Sequence, residues 1–211
     1  MYTHKNDVIT RGKPLSETGK ALILVHGRGA TAQSILDLAN HLPAQDFTLY
    51  APQATNNSWY PYSFMAPEEQ NQPALDSALE RLDELVKSIL DQGVKSEELY
   101  LGGFSQGACL TSEYATRNAR KFGGLLLFTG GLIGQQLVAD RYKGNFEGTP
   151  VLLTTGDPDP HVPVSRVEET AETMEKLGAV VTKKIYHGRP HTILQEELDL
   201  AGKILSSVDK G

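Results

Sequence analysis

An α/β fold with a mostly parallel central sheet and helices on both of its faces is what the sequence predicts, and three observations carry that prediction. Short apolar runs alternate along the chain with segments whose apolar residues recur at helical spacing. The runs are apolar at successive positions, which marks strands buried on both faces. Right-handed crossovers then return the chain repeatedly to one sheet, so the turns that follow the strands gather beyond their carboxyl ends, where ligands bind in such folds.

The elements follow in order. Residues 1–19 hold one signal, an antiparallel edge strand near 8–10. Residues 21–25 (Ala-Leu-Ile-Leu-Val) form a buried strand that delivers the glycine-rich turn His26-Gly27-Arg28-Gly29. Ile35, Leu38, Ala39 and Leu42 make a helical stripe that stops before Pro43, and residues 47–51 supply the second buried strand. The stretch 52–72 shows no period but is rich in aromatic residues, which argues against disorder, and its length points to a functional loop near the site. From Pro73 the stripe Leu75, Leu79, Leu82, Leu85, Val86, Ile89 marks a long amphipathic helix closed by Gly93. Residues 99–104 are the next strand and 108–117 a helix, followed by strands at 124–128 and 151–155 with a weakly patterned loop, 130–149, between them. A helix at 167–177, a strand at 180–186 and a last helix carrying Leu194, Leu198, Ala201 and Leu205 complete the alternation.

At 211 residues and 39% hydrophobic content, the chain fits one α/β domain spanning 1–211. A formal charge of -6 argues against nucleic acid or an anionic membrane as a partner. Cys109 is the single cysteine, so no internal disulfide forms, and the first residues lack the apolar stretch of a secretory signal; the expected location is cytoplasmic. No apolar segment approaches the roughly 18 to 20 residues a spanning helix needs.

The chemistry centres on Ser105, in Gly103-Phe104-Ser105-Gln106-Gly107. Such a pentapeptide between a strand and a helix forces the serine into a strained turn that lifts its hydroxyl off the sheet and aims helix N-terminal N–H groups beside it. A serine hydroxyl is a poor nucleophile at neutral pH and needs a histidine base, itself oriented by an acid. In the α/β-hydrolase arrangement these follow in the order Ser, Asp or Glu, His, on loops after successive strands. The acid is then Asp157 or Asp159, after the strand at 151–155, and the base His187 or His191, after the strand at 180–186. Periodicity does not choose within either pair.

His26-Gly27-x-Gly29, the Ser105 pentapeptide, Gly156-Asp157-x-Asp159-Pro160-x-Val162-Pro163 and the late His191 together resemble the phospholipase/carboxylesterase family, which includes the acyl-protein thioesterases. The motifs span nearly the whole chain in the family's order. The resemblance implies Ser105 as nucleophile, Asp159 as acid and His191 as base, with the backbone N–H groups of Arg28 and Gln106 forming the oxyanion hole. Arg28 stands where the thioesterases carry an apolar residue, and residues 57–62 match their Trp-aromatic loop only in part; in both respects the chain is more similar to the bacterial hydroquinone-regulon type branch.

That pattern predicts a serine carboxylesterase acting on small or aromatic esters in a compact pocket roofed by Trp59, Tyr60, Tyr62 or Phe64, the even alternative being that these aromatics merely cover core. Thioester or lysophospholipid hydrolysis would use the same residues, and a non-catalytic binder on the same fold is the rival from another class. Cys109, one helical turn after Ser105, is expected to pack inward, and His26 to bond within its own turn. His161 reads as a loop histidine, and Arg28 as a solvated or ion-paired side chain, the less common alternative being contact with an anionic group of the substrate. No metal and no cofactor is expected; the partner is a small-molecule ester, and the assembly a monomer or homodimer.

Overall fold

Seven strands form one sheet in the computed structural model, which describes residues 2–206. They are β1 (Val8–Gly12), β2 (Ala21–Val25), β3 (Thr48–Pro52), β4 (Leu99–Phe104), β5 (Gly124–Phe128), β6 (Pro150–Asp157) and β7 (Val180–His187), in the spatial order β1-β3-β2-β4-β5-β6-β7. Only the β1 and β3 pair is antiparallel; the edge strand expected near 8–10 is present and runs on to Gly12. The helices are α1 (Leu15–Thr18), α2 (Ala32–Asp37), α3 (Ala74–Leu90), α4 (Gln106–Arg117), α5 (Val164–Lys176) and α6 (Gln195–Ser206).

Alternation along the strands divides the core in two. Ala21, Ile23 and Val25 of β2, Leu99 and Leu101 of β4 and Leu125 and Leu127 of β5 face one way, onto Leu82, Val86, Leu110 and Val167 of α3, α4 and α5. Leu22, Leu24, Tyr100, Leu126 and Phe128 face the other way, onto Ile35 and Leu36 of α2 and Leu198, Ala201 and Leu205 of α6. Strands buried on both faces have no polar side to show, which is why they read as continuous apolar runs.

Strand order positions the site. From β2 the chain moves to β3 on one side and then to β4 on the other, so the carboxyl ends of β2 and β4 flank a point where crossovers diverge. The His26 turn leaves β2 there and the Ser105 turn leaves β4 beside it, with Val25 registered against Gly103. On the far side of β5, β6 and β7 pair from Pro150↔Val180 through Asp157↔His187, so the loops bearing the candidate acid and base emerge side by side.

Several elements differ from the expectation; β6 runs on to Asp157 and β7 to His187, so these two residues end strands and do not lie in the loops after them. Helix α4 starts at Gln106 rather than 108, because the turn at Ser105 takes a single residue. Helix α5 starts at Val164, directly after Pro163 and before its first buried position, Arg166. Helix α2 is cut to Ala32–Asp37 and continues as 3₁₀ turns over Leu38–His41. The short α1, with Gly19 in the left-handed conformation as its stop, has no apolar stripe and carried no sequence signal.

Candidate active site

Ser105 has φ 55° and ψ -121°, a conformation a residue with a Cβ holds only when its surroundings impose it. The imposition is visible. Its N–H donates to the Phe128 carbonyl at 3.0 Å, locking the turn to the end of β5. A Cβ at Gly103 would lie 2.6 Å from the Gly107 carbonyl, and one at Gly107 only 2.0 Å from the Val25 carbonyl. Both glycines are therefore steric requirements of a turn packed against β2.

The Ser105 hydroxyl lies 2.9 Å from His191 Nε2, and His191 Nδ1 lies 2.8 Å from Asp159 Oδ2. A carboxylate only accepts, so Nδ1 carries the imidazole proton and Nε2 is left to accept from the serine. Asp159 Oδ1 accepts the N–H groups of His161 and Val162, both at 2.9 Å. Burial opposes ionisation of Asp159, but the hydrogen bonds from His191 and the two N–H groups outweigh it and hold its pKa below the usual aspartate value. Asp157 and His187, the alternatives within each pair, lie 3.1 Å from one another across the open end of β6 and β7, exposed to solvent.

Among the described residues, no protein acceptor takes the backbone N–H of Arg28 or of Gln106. Their side chains are both committed to a single loop. Gln106 accepts the Trp59 N–H at 3.0 Å and donates to the Tyr60 carbonyl at 2.8 Å. Arg28 donates to Ser58 Oγ at 3.1 Å and to the carbonyls of Pro61 and Tyr62 at 2.8 and 2.7 Å. Arg28 is exposed, in keeping with the solvated reading, and its side chain also straps the aromatic-rich loop to the turn after β2. Backbone carbonyls leave no trace in a sequence pattern, which is why this partner set was not foreseen.

A cavity of about 700 Å³ opens above Ser105, walled by Tyr60, Tyr62 and Phe64 from the 52–72 stretch and by Pro160, His161 and Val162 from the Asp159 loop. Trp59, expected in that wall, is not part of it. It is buried beneath the loop, its ring 5.1 Å from that of His26 and its indole N–H donating to the His26 carbonyl at 2.9 Å. An aromatic in a loop signals burial but not which side of the loop it is buried on. His26 bonds within its own turn as expected, donating from Nδ1 to the Gly27 carbonyl and accepting the Ala54 N–H at Nε2; burial lowers its pKa. Cys109 is buried on the cavity floor, and its burial pushes the thiol pKa up to about 12. His161 lies edge-on to His191, ring centroids 5.1 Å apart, and supplies cavity wall.

No sequence pattern marks the support under His191. Arg189 and Glu197 form a fully buried ion pair at 2.8 Å. Arg189 also donates to the Thr192 carbonyl and to Thr129 Oγ1, while Glu197 accepts from Thr154 Oγ1 at 2.5 Å and from the Leu194 N–H at 2.8 Å. The loop that carries His191 is thereby tied to the ends of β5, β6 and α6. No three His, Cys, Asp or Glu side chains converge as a metal site requires, among the described residues.

Comparison with known proteins agrees with this architecture. The family model described as Phospholipase/Carboxylesterase matches residues 6–208. The crystal structure of a phospholipase/carboxylesterase from Dyadobacter fermentans superposes with a TM-score of 0.96 at 56% identity, covering 98% of this chain and 99% of that one. Acyl-protein thioesterase 1 of Saccharomyces cerevisiae is 25% identical over 90% of this chain and 93% of its own length. Acyl-protein thioesterase 1 of Gibberella zeae is 35% identical over 117 residues, 54% of this chain and half the length of that protein. With the family pattern running from the first strand to the last helix, the chain belongs to the phospholipase/carboxylesterase family and is a serine hydrolase of the α/β-hydrolase fold.

Proposed function

We propose that this chain hydrolyses small carboxylic esters, aromatic ones included, through an acyl-enzyme formed on Ser105. The observation that carries the reading is the unbroken hydrogen-bond chain from Ser105 through His191 to Asp159, at 2.9 and 2.8 Å. Ser105 Oγ attacks the ester carbonyl as His191 Nε2 takes its proton. Asp159, kept ionised by its hydrogen bonds, stabilises the imidazolium and fixes the tautomer that makes Nε2 the acceptor. The N–H groups of Arg28 and Gln106 stabilise the tetrahedral oxyanion, a contribution of about 10²- to 10³-fold in rate for each donor. His191 returns the proton to the leaving alcohol, and water repeats the cycle to release the acid.

Tyr60, Tyr62 and Phe64 line the substrate pocket in this reading. A pocket wall strapped down by Arg28 and Gln106 favours a compact substrate over a long chain that needs an open groove. The thioesterase relatives support hydrolysis of acyl thioesters by the same residues, and acyl-length preference separates the two. We place the enzyme in the cytoplasm, as monomer or homodimer, acting on a diffusible ester; the lone buried Cys109 fits a reducing compartment.

The test is hydrolysis of p-nitrophenyl esters of increasing acyl length by the wild-type chain and by Ser105→Ala, with folding of both checked by circular dichroism. Activity greatest on short acyl groups and abolished in the folded variant is expected. Greatest activity on long acyl thioesters would favour the thioesterase reading. A serine-reactive fluorophosphonate that fails to label the folded protein would leave a binding protein instead.

A further inference from the structure

The cavity above Ser105 carries an unbalanced positive charge. Arg28 lines it, and among the described residues no aspartate or glutamate does, although the chain as a whole has a formal charge of -6. The three acceptors that hold the Arg28 guanidinium, Ser58 Oγ and the Pro61 and Tyr62 carbonyls, are all neutral, so they fix its position without cancelling its charge. They occupy both Nη1 hydrogens and one on Nη2, leaving Nε–H and the second Nη2 hydrogen of a five-donor fork unspent. Asp159, the acid in the Ser105 hydrogen-bond chain, has its oxygens engaged by His191 and two backbone N–H groups. Tyr60 lies under the guanidinium, its ring centroid 6.0 Å from Arg28 Cζ. Its hydroxyl is buried with no nitrogen or oxygen partner, and its polar neighbour is the Cys109 thiol, a weak acceptor.

From this arrangement we infer that the physiological substrate is an anionic ester, one that carries a carboxylate besides the bond to be cleaved, and that Arg28 is the residue that selects it. The inference rests on the serine esterase reading and narrows its substrate class. A guanidinium held in place before binding loses little freedom when it meets a carboxylate, and a charge-assisted, two-donor contact discriminates strongly against a neutral analogue. The conspicuous arginine between Gly27 and Gly29 then does two things at once: its backbone N–H faces the reacting carbonyl, and its side chain reads the rest of the molecule.

The experiment uses two matched pairs, one with the charge on each side of the ester: mono-(4-nitrophenyl) adipate against 4-nitrophenyl hexanoate, and 4-acetoxybenzoate against its methyl ester. In at least one pair, wild-type kcat/KM should favour the anionic member by about tenfold or more at low ionic strength. That preference should shrink in about 0.5 M salt. Arg28→Gln should bring the ratio within the pair to near one, and Arg28→Lys should restore part of it. The ratio is the readout because loss of the strap lowers turnover of both members together. Equal or better hydrolysis of the neutral member of both pairs overturns the inference while leaving the esterase reading intact. So does an anionic preference that survives in Arg28→Gln. No hydrolysis of any of the four, with no fluorophosphonate labelling, overturns both.

Discussion

Replacing Glu197 by glutamine should damage this protein more than its distance from the reacting atoms suggests. Glu197 is fully buried and accepts from Arg189, Thr154 and the Leu194 N–H, while the Arg189 side chain is 2% exposed. Glutamine keeps the shape but removes the only negative charge at bonding distance from Arg189 among the described residues, so a guanidinium is left buried without a counterion. Breaking one partner of such a pair costs about 3–5 kcal/mol. For a chain of this size each kcal/mol lowers Tm by roughly 2–4 °C, so the expected fall is about 6–20 °C, read by thermal unfolding under circular dichroism. A domain with about 5–15 kcal/mol of stability remains folded at 25 °C, where kcat can still be measured. It should fall by more than the folded fraction accounts for, because Arg189 bonds the Thr192 carbonyl and Glu197 the Leu194 N–H, on the loop that carries His191. The double variant Arg189→Met, Glu197→Leu removes both charges and should recover at least half of the lost stability. A loss under about 1 kcal/mol in Glu197→Gln, or a double variant as unstable as the two single losses added, would refute this account of the network.

Four further outcomes are expected. Asp159→Asn should fold normally and lose about 10⁴-fold in kcat, since asparagine favours the wrong imidazole tautomer. Because the Asp159 pKa is lowered on folding, its contribution to stability is full above the unfolded aspartate pKa and fades as pH falls through the folded one. Thermal scans of wild type from pH 7 into the acid range should therefore lose stability that Asp159→Asn does not. Cys109, with its thiol pKa pushed up to about 12, should resist a disulfide reagent at pH 8 in the folded protein and react at once on unfolding in urea. Gly107→Ala, whose Cβ would sit 2.0 Å from the Val25 carbonyl, should yield little soluble protein, while Gly29→Ala, with open space around the added carbon, should fold at a modest cost from its positive φ.

What was legible in the sequence follows from what each feature depends on. The central strands β2, β4 and β5 were readable to within a residue because burial on both faces excludes polar side chains from them. Ser105 was readable because its turn needs glycine on either side for steric reasons that any chain must meet. The start of α4 was not, since Gln106 and Gly107 carry no apolar stripe, and their helical geometry is imposed by the turn before them. The choice of His191 over His187 rested on family resemblance and on its place beside the last helix; a strand's last residue and a loop residue four positions on look alike until the β6 and β7 register is known. Arg28, Gln106 and Glu197 were illegible in a different sense. Their partners are main-chain groups or residues far along the chain, and nothing local marks a polar side chain as structural rather than solvated.

These illegible contacts explain how the two halves of the site are kept in register. The Ser105 turn and the turn after β2 lie at the switch point of the sheet, whereas the Asp159 and His191 loops leave β6 and β7, with β5 between. A shift of one half against the other by an ångström would stretch the 2.9 Å serine to histidine bond out of range. The halves are joined through β5, whose last residue, Phe128, accepts the Ser105 N–H at 3.0 Å, and whose following residue, Thr129, receives the Arg189 guanidinium at 2.6 Å. Two adjacent residues at the end of one buried strand thus hold the Ser105 turn from one side and the His191 loop from the other. Thr129 has φ 57°, a costly conformation for a β-branched residue, and it is buried. That cost is offset where the Thr129 hydroxyl takes its bond from Arg189, which ties the strain at the end of β5 to the geometry of the Ser105–His191 pair. Thr129→Val, keeping the shape but removing the acceptor, should therefore lower kcat with little change in KM, because it leaves the cavity wall intact and loosens only the His191 loop.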